Sequence, residues 1–153
     1  MLKSLDPVLT PDLLWVLAAM GHGDDLALVD ANFPAERIAR ATVSGRLVRI
    51  PGLTMARVAR AVLSVLPIDD FEPAPLRRME VVGDPSAIPD IQSEVLAELA
   101  QAIGPDAAFA GIPRFPFYEA ARGAFAVVQV DDPRPYGCFL FRKGVVFPDG
   151  VTA

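Results

Sequence analysis

The residues best suited to chemistry begin with Gly21-His22-Gly23-Asp24, which runs on through Asp25-Leu26-Ala27-Leu28-Val29 into Asp30-Ala31-Asn32-Phe33-Pro34. His22 is the only histidine in the chain. A free imidazole titrates near pH 6.5, so His22 is a candidate general acid or base. Asp30 is a candidate acceptor for hydroxyl protons. Two further stretches carry more polar chemistry than a scaffold needs. Pro113-Arg114-Phe115-Pro116-Phe117-Tyr118-Glu119 puts an Arg, a Tyr and a Glu at a strand-to-helix junction, and ligands of open α/β sheets sit at the carboxyl ends of strands. Arg134-Pro135-Tyr136-Gly137-Cys138 offers a phenol, a flat face, and backbone groups at Gly137 free to point at a ligand. Each stretch also has a plainer reading. The first is a helix-ending turn, with Gly21 as the left-handed C′ residue and Asp24 as a cap. In the second, Phe115, Phe117 and Tyr118 are core aromatics and Arg114 is solvated. Tyr136 is a turn tyrosine in the third.

Taken together, one Arg, one or two carboxylates, tyrosines and a His suit a small neutral polyol. Carboxylates accept hydroxyl protons and Arg donates in a fixed fork, while aromatic faces cover the ring. Other chemistries have little support. A lone Cys138 and a lone His22 give no metal-ligand spacing. Neither GxGxxG nor GxxxxGK[ST] occurs, so no nucleotide-phosphate loop is expected. The residues therefore point to chemistry without a bound metal or a nucleotide-phosphate loop.

The elements that must position these groups read as one domain over 1–153. Thr10-Pro11-Asp12 starts a helix, with Leu13, Leu14, Leu17 and Met20 on one face and Trp15 left over for another subunit. That helix is expected to end at Gly21. Leu26–Val29 is uninterrupted apolar, the pattern of a strand buried on both faces. A straight strand at about 3.3 Å per residue keeps His22 and Asp30 apart, so a bend or a second segment must complete any site. Arg46–Ile50 reads as a strand, and Thr54 caps a helix running to Leu66. Leu76–Val82 is the next strand and Pro89–Ile103 an amphipathic helix. Phe109–Ile112, Phe115–Arg122 and Ala124–Val130 read as strand, helix and strand. Cys138–Arg142 and Val145–Phe147 close the chain as strand, followed by a frayed 149–153. Helices alternating with strands give an α/β class with a mostly parallel central sheet.

Composition narrows the setting. Hydrophobic residues make up 52% and the mean hydropathy is +0.37, high enough to place apolar surface in a subunit interface. No apolar run reaches the 18 or so residues of a membrane span. The net charge of -5, with scattered Lys and Arg, argues against nucleic acid as a partner. A single cysteine excludes an intrachain disulfide and suits a reducing compartment. The N-terminus lacks the features of a signal peptide, so a cytoplasmic location is expected.

At these blocks the chain resembles the fucose mutarotase and ribose pyranase family. The matching stretches are Met20-Gly21-His22-Gly23-Asp24, Asp30-Ala31-Asn32-Phe33-Pro34, Arg114-Phe115-Pro116-Phe117-Tyr118-Glu119, and Tyr136-Gly137 followed by Lys143-Gly144-Val145. They run in register from about Met1 to Val146, and the arginine block resembles the fucose branch. The resemblance implies a three-layer α/β/α sandwich and interconversion of α and β pyranose anomers of L-fucose or a related aldose. It implies no cofactor. It also implies a homo-oligomer, commonly a ring-like decamer, with sites near subunit contacts. It assigns His22 as proton donor, with Asp24 possible as its assistant, and Asp30, Arg114, Tyr118, Tyr136, Gly137 and Cys138 as sugar contacts. Cys138 stands where the family has Asn, and Asn32 where it commonly has His. These departures bear on which sugar is preferred. They also leave open a sugar-binding module without catalysis, or exchange between pyranose and furanose ribose.

Overall fold

The computed structural model describes residues 1–149. Its core is a six-stranded sheet in the order β2-β5-β1-β6-β3-β4. The strands are β1 (Asp25–Val29), β2 (Leu47–Ile50), β3 (Leu76–Met79), β4 (Ala110–Ile112), β5 (Ala126–Val130) and β6 (Phe139–Arg142). The helices are α1 (Pro11–Ala19), α2 (Ala35–Ala39), α3 (Met55–Leu63), α4 (Asp90–Ile103) and α5 (Arg114–Arg122). β1, β2 and β5 pair in parallel, as do β3 and β4. Only β6 runs against both neighbours, β1 and β3.

Side-chain alternation along the strands builds two cores, one on each face. Leu26 and Leu28 of β1, with Phe139 and Phe141 of β6, pack under α1, α3 and α4. Ala27, Val29 and Leu140 face the other way, toward α2 and α5. Because both faces are covered, Leu26 through Val29 are all buried. The result is the expected α/β/α sandwich with a mostly parallel sheet. No helix among the described residues is long and apolar enough to cross a membrane.

Local signals placed the helix starts well. Thr10 Oγ1 accepts from Leu13 N at 3.2 Å, and Thr54 Oγ1 accepts from Arg57 N at 3.3 Å. Helix ends were harder. α1 stops at Ala19 with Met20 as C-cap, and the left-handed glycine is Gly23 (φ 86°), not Gly21. The reason is a remote cation: Lys143 Nζ donates to the carbonyls of Leu17 and Met20 at 2.7 and 2.6 Å. Such a cation satisfies terminal carbonyls and suits the helix dipole, so no glycine cap is needed. α3 likewise ends at Leu63, short of Leu66. β3 stops at Met79 instead of Val82, because Gly83 (φ 83°) closes a tight turn that bridges Val81 to Asp84. No strand forms over 145–147; Lys143 bridges to Ile68 instead. Trp15 stays 45% exposed, with the Arg46 guanidinium 3.7 Å above its ring. Of the expected frayed tail, 150–153 lie outside the described residues.

Candidate functional site

β6 running antiparallel decides what meets what. Leu28 pairs with Phe139 and Arg78 with Phe139, so the carboxyl ends of β1 and β3 lie beside the residues that enter β6. β4 runs alongside β3 and delivers Ile112, then Arg114 at the start of α5. Asp30, Met79, Arg114 and Tyr136–Cys138 therefore converge on one edge of the sheet. Asp30, Met79, Arg114, Tyr136 and Cys138 line a cavity of about 210 Å³ together with Asn32, Phe33, Tyr118 and Pro135.

Asp30 is the anchor of that cavity and is 2% exposed. Its Oδ1 accepts from Asn32 N at 2.8 Å, an aspartate turn of the local kind expected just after a strand. Its Oδ2 accepts from Gly137 N at 2.9 Å and from the Cys138 thiol at 3.5 Å. Burial pushes the Asp30 carboxyl above its ordinary 3.8, although the Asn32, Cys138 and Gly137 donors pull the other way. Gly137 makes a close approach: a Cβ there would lie 2.4 Å from Ile91 Cδ1, and that side chain would have to shift to admit it.

Arg114 and Tyr118 are one helical turn apart on α5, and Arg114 Nε donates to the Tyr118 hydroxyl at 2.9 Å. The rest of the Arg114 fork stays exposed at the mouth. Phe33 packs edge-on to Tyr118 with ring centroids 5.4 Å apart. Tyr136 has φ 65°, a left-handed backbone uncommon for a residue with a side chain. Its hydroxyl accepts from Val82 N at 3.2 Å. The loop before it is tied down by Arg134, which forks onto Glu94 at 2.8 Å and onto Asp132 at 2.9 Å.

Cys138 is buried, and its thiol is pushed well above 9.0, first by burial and then by the Asp30 charge. It stays a neutral weak donor, not a nucleophile. Folded protein is expected to resist iodoacetamide at pH 8 and to react fully once unfolded in urea. Rapid labelling of the folded state, read by intact mass, would contradict this burial.

His22 lies at the opposite edge, beyond the amino end of β1. The five residues of β1 alone span roughly 16 Å at a strand's rise per residue. Here a second cluster forms. His22 Nε2 is 2.9 Å from Asp69 Oδ1, and Phe71 packs on the imidazole with centroids 5.1 Å apart. The Asp69 side chain is only 1% exposed and that of His22 is 46% exposed. Burial pushes the Asp69 carboxyl up, but the His22 and Phe71 N–H hydrogen bonds outweigh it, and the net result lies below 3.8. An ionised carboxylate 2.9 Å from Nε2 favours the tautomer with the proton on that nitrogen. Asp24, the assistant suggested above, spends its Oδ2 on Gly21 N at 2.7 Å. Asp69 lay in an Asp69-Asp70 loop that carried no local sign of a partner 47 residues away. Among the described residues no group of three or more His, Cys, Asp or Glu could hold a metal ion.

The fold and site define the class of three-layer α/β sandwiches that gather a carboxylate, an arginine fork and two phenols around a small cavity at the carboxyl ends of their strands. Within that class the chain belongs to the RbsD / FucU transport protein family, whose model matches residues 3–146. The L-fucose mutarotase of Histophilus somni is 36% identical over 145 residues, which is 95% of this chain and 97% of the relative. The human fucose mutarotase is 38% identical over 148 residues, 95% of this chain and 94% of that protein. The crystal structure of fucose mutarotase from Streptococcus pneumoniae, solved with L-fucose, superposes with a TM-score of 0.85 at 28% identity. It covers 95% of this chain and all (100%) of that one.

Proposed function

We propose that this protein is a cofactor-independent mutarotase that interconverts the α and β pyranose anomers of L-fucose or a closely similar aldose. The observation that carries the reading is the cavity of about 210 Å³ where Asp30, Arg114, Tyr118 and Tyr136 meet. It is smaller than the roughly 300–1,000 Å³ typical of drug-sized ligands, and suits a single sugar ring. The relatives named fucose mutarotases support the sugar class.

Ring opening needs a proton delivered to the ring oxygen and another removed from the anomeric hydroxyl; reclosure on the other face reverses both. Asp30 accepts hydroxyl hydrogen bonds, Arg114 donates to ring or hydroxyl oxygens, and Tyr136 covers the ring. His22 supplies the proton, with Asp69 holding the imidazole and stabilising the imidazolium. Since His22 and Asp30 sit at opposite edges of one sheet, His22 serves the Asp30 cavity of a neighbouring copy. Such a contact joins two different surfaces, and it forms a ring when its rotation closes. The decamer expected from the resemblance is one such closed assembly, and light scattering that gave a 16.4 kDa monomer would contradict it. The reduced, buried thiol fits a cytoplasmic enzyme.

The test is NMR saturation transfer between anomeric protons of L-fucose, D-ribose and other aldoses. Exchange accelerated by catalytic amounts of protein, with L-fucose or a near relative the best substrate, is the expected result. Acceleration confined to pyranose–furanose exchange of D-ribose would replace the proposal with the ring-size reading. Line broadening without added exchange would make the chain a binding module.

A further inference from the structure

The left-handed backbone of Tyr136 is held from outside its own loop as well as from within it. The outside restraint comes from α4, a helix on the other side of the sheet from α5. Gln92, in the first turn of α4, is fully buried at 0% exposure. Its Nε2 donates to Tyr136 O at 2.9 Å and to Met79 O at 2.8 Å. Tyr136 and Met79 both line the cavity, from the β6 approach and the end of β3 respectively. The β3–β6 ladder already holds the two strands together, its last bond running from Met79 N to Cys138 O at 3.0 Å. Gln92 acts at the end of that ladder, supplying a donor to Met79 O, while Met79 N is already bonded to Cys138 O. It sets where the ladder ends and where the two walls stand.

The amide can point only one way. Arg78 Nη1 approaches Gln92 Oε1 at 3.4 Å, so the oxygen faces the cation and the NH₂ faces the two carbonyls. Arg78 is 7% exposed. Its hydrogen-bond partners among the described residues are neutral oxygens: Pro85 O at 2.9 Å, Ala87 O at 3.4 Å and Gln92 itself. A buried guanidinium without a carboxylate polarises the amide it touches and strengthens the bonds on the amide's far side. The neighbouring Ile91 presses on Gly137 where a Cβ would collide at 2.4 Å, so the same turn of α4 braces the next residue of the loop. We propose that Gln92, oriented by Arg78, is a positioning residue that sets the width of the sugar cavity by holding the carbonyls of Tyr136 and Met79 together.

The assignment deepens the mutarotase reading and rests on it for the sugar. Its test therefore includes a readout that needs no activity. The chain has two tyrosines, Tyr118 and Tyr136, so 3-fluorotyrosine labelling gives two ¹⁹F resonances, assigned with Tyr118→Phe. Gln92→Met keeps the length and removes both donors. The expected result is a shifted or broadened Tyr136 resonance and an unmoved Tyr118 resonance. With it, KM for the sugar rises about tenfold and kcat stays within about threefold, as expected when ground-state and transition-state binding fall together. If Gln92→Met does not fold, Gln92→Glu carries the same test, since it keeps a partner for Arg78 but offers the two carbonyls no donor at neutral pH. A Tyr136 resonance that does not move overturns the assignment, whatever the kinetics. So does a moved resonance with KM unchanged. Wild-type protein that accelerates no sugar's exchange would overturn the mutarotase reading instead, and the ¹⁹F comparison would still show whether Gln92 positions Tyr136.

Discussion

His22→Ala is expected to slow sugar anomer exchange by about 10²–10⁴-fold, the usual contribution of a positioned general acid or base. The imidazole is half-exposed, so its removal leaves no cavity in the core, but it deprives the buried Asp69 carboxylate of a hydrogen bond, and the variant should melt somewhat lower. Asp69→Asn is expected to act in the same direction but less strongly, because the imidazole remains while the group that orients it loses its charge. Saturation transfer measures both, and a His22→Ala protein with wild-type exchange rates would end the role assigned to this residue. The same variant tests the shared site. Mixing His22→Ala with Asp30→Ala protein and reassembling the oligomers should restore about a quarter of wild-type activity, since chance pairing gives that fraction of sites one intact residue from each neighbour. Sites built within single protomers would regain none.

Asp30→Asn should be nearly as damaging, at about 10²-fold or more. A hydrogen bond to a charged group contributes about 1.5–3 kcal/mol, and a sugar hydroxyl held by the carboxylate would lose its charged acceptor. The asparagine NH₂ would also confront Gly137 N or Asn32 N, which now donate to the carboxylate at 2.9 and 2.8 Å. A buried N–H left without an acceptor costs about 1–3 kcal/mol, so the variant should melt lower as well. Its pH dependence separates the two effects. Burial raises the folded-state pKa of Asp30 above 3.8, so the unfolded chain gives up this proton first. The stability linked to Asp30 is present below 3.8 and is lost as pH rises through the folded value. Asp69 and Asp132 run the opposite way: their folded values lie below 3.8, and the stability they contribute disappears as pH falls through those values. Burial works against both, and for Asp132 the Arg134 hydrogen bond is the larger cause of the lowering. Asp30→Asn should remove only the first of these trends. In the wild type, the acid limb of kcat/KM should lie above the ordinary carboxylate value of 3.8. A limb at or below it would mean that Asp30 is not the group that must be ionised.

How much of this was legible beforehand follows the range of each interaction. Features closed within a few residues could be read off the chain. Thr10-Pro11 and Thr54 open their helices because a hydroxyl three residues ahead meets a free N–H. Leu26–Val29 is buried on both faces as its unbroken apolar run requires. Asp30 turns back onto Asn32 N, and Arg114 meets Tyr118 one helical turn away. The resemblance at four blocks pointed to the family, and with it to the sandwich.

Contacts that close over long stretches of chain were not legible, because nothing local distinguishes their members. Whether Asp30 meets Gly137, 107 residues on, depends on β6 entering the sheet antiparallel beside β1. That Lys143 rather than Gly21 ends α1, and that Asp69 rather than Asp24 holds His22, follows from where β6 and the loop before β3 come to rest. Gln92 reads as one more polar residue on an amphipathic helix, yet it is buried beneath the cavity because two carbonyls there need a donor. Local patterns in the chain carried the helix starts, the buried strands and the family, but not the ends of α1, α3 and β3 or the absence of a strand over 145–147. That these residues form two clusters at opposite edges of one sheet follows from strand order and direction, which set which chain ends meet and which no local pattern encodes.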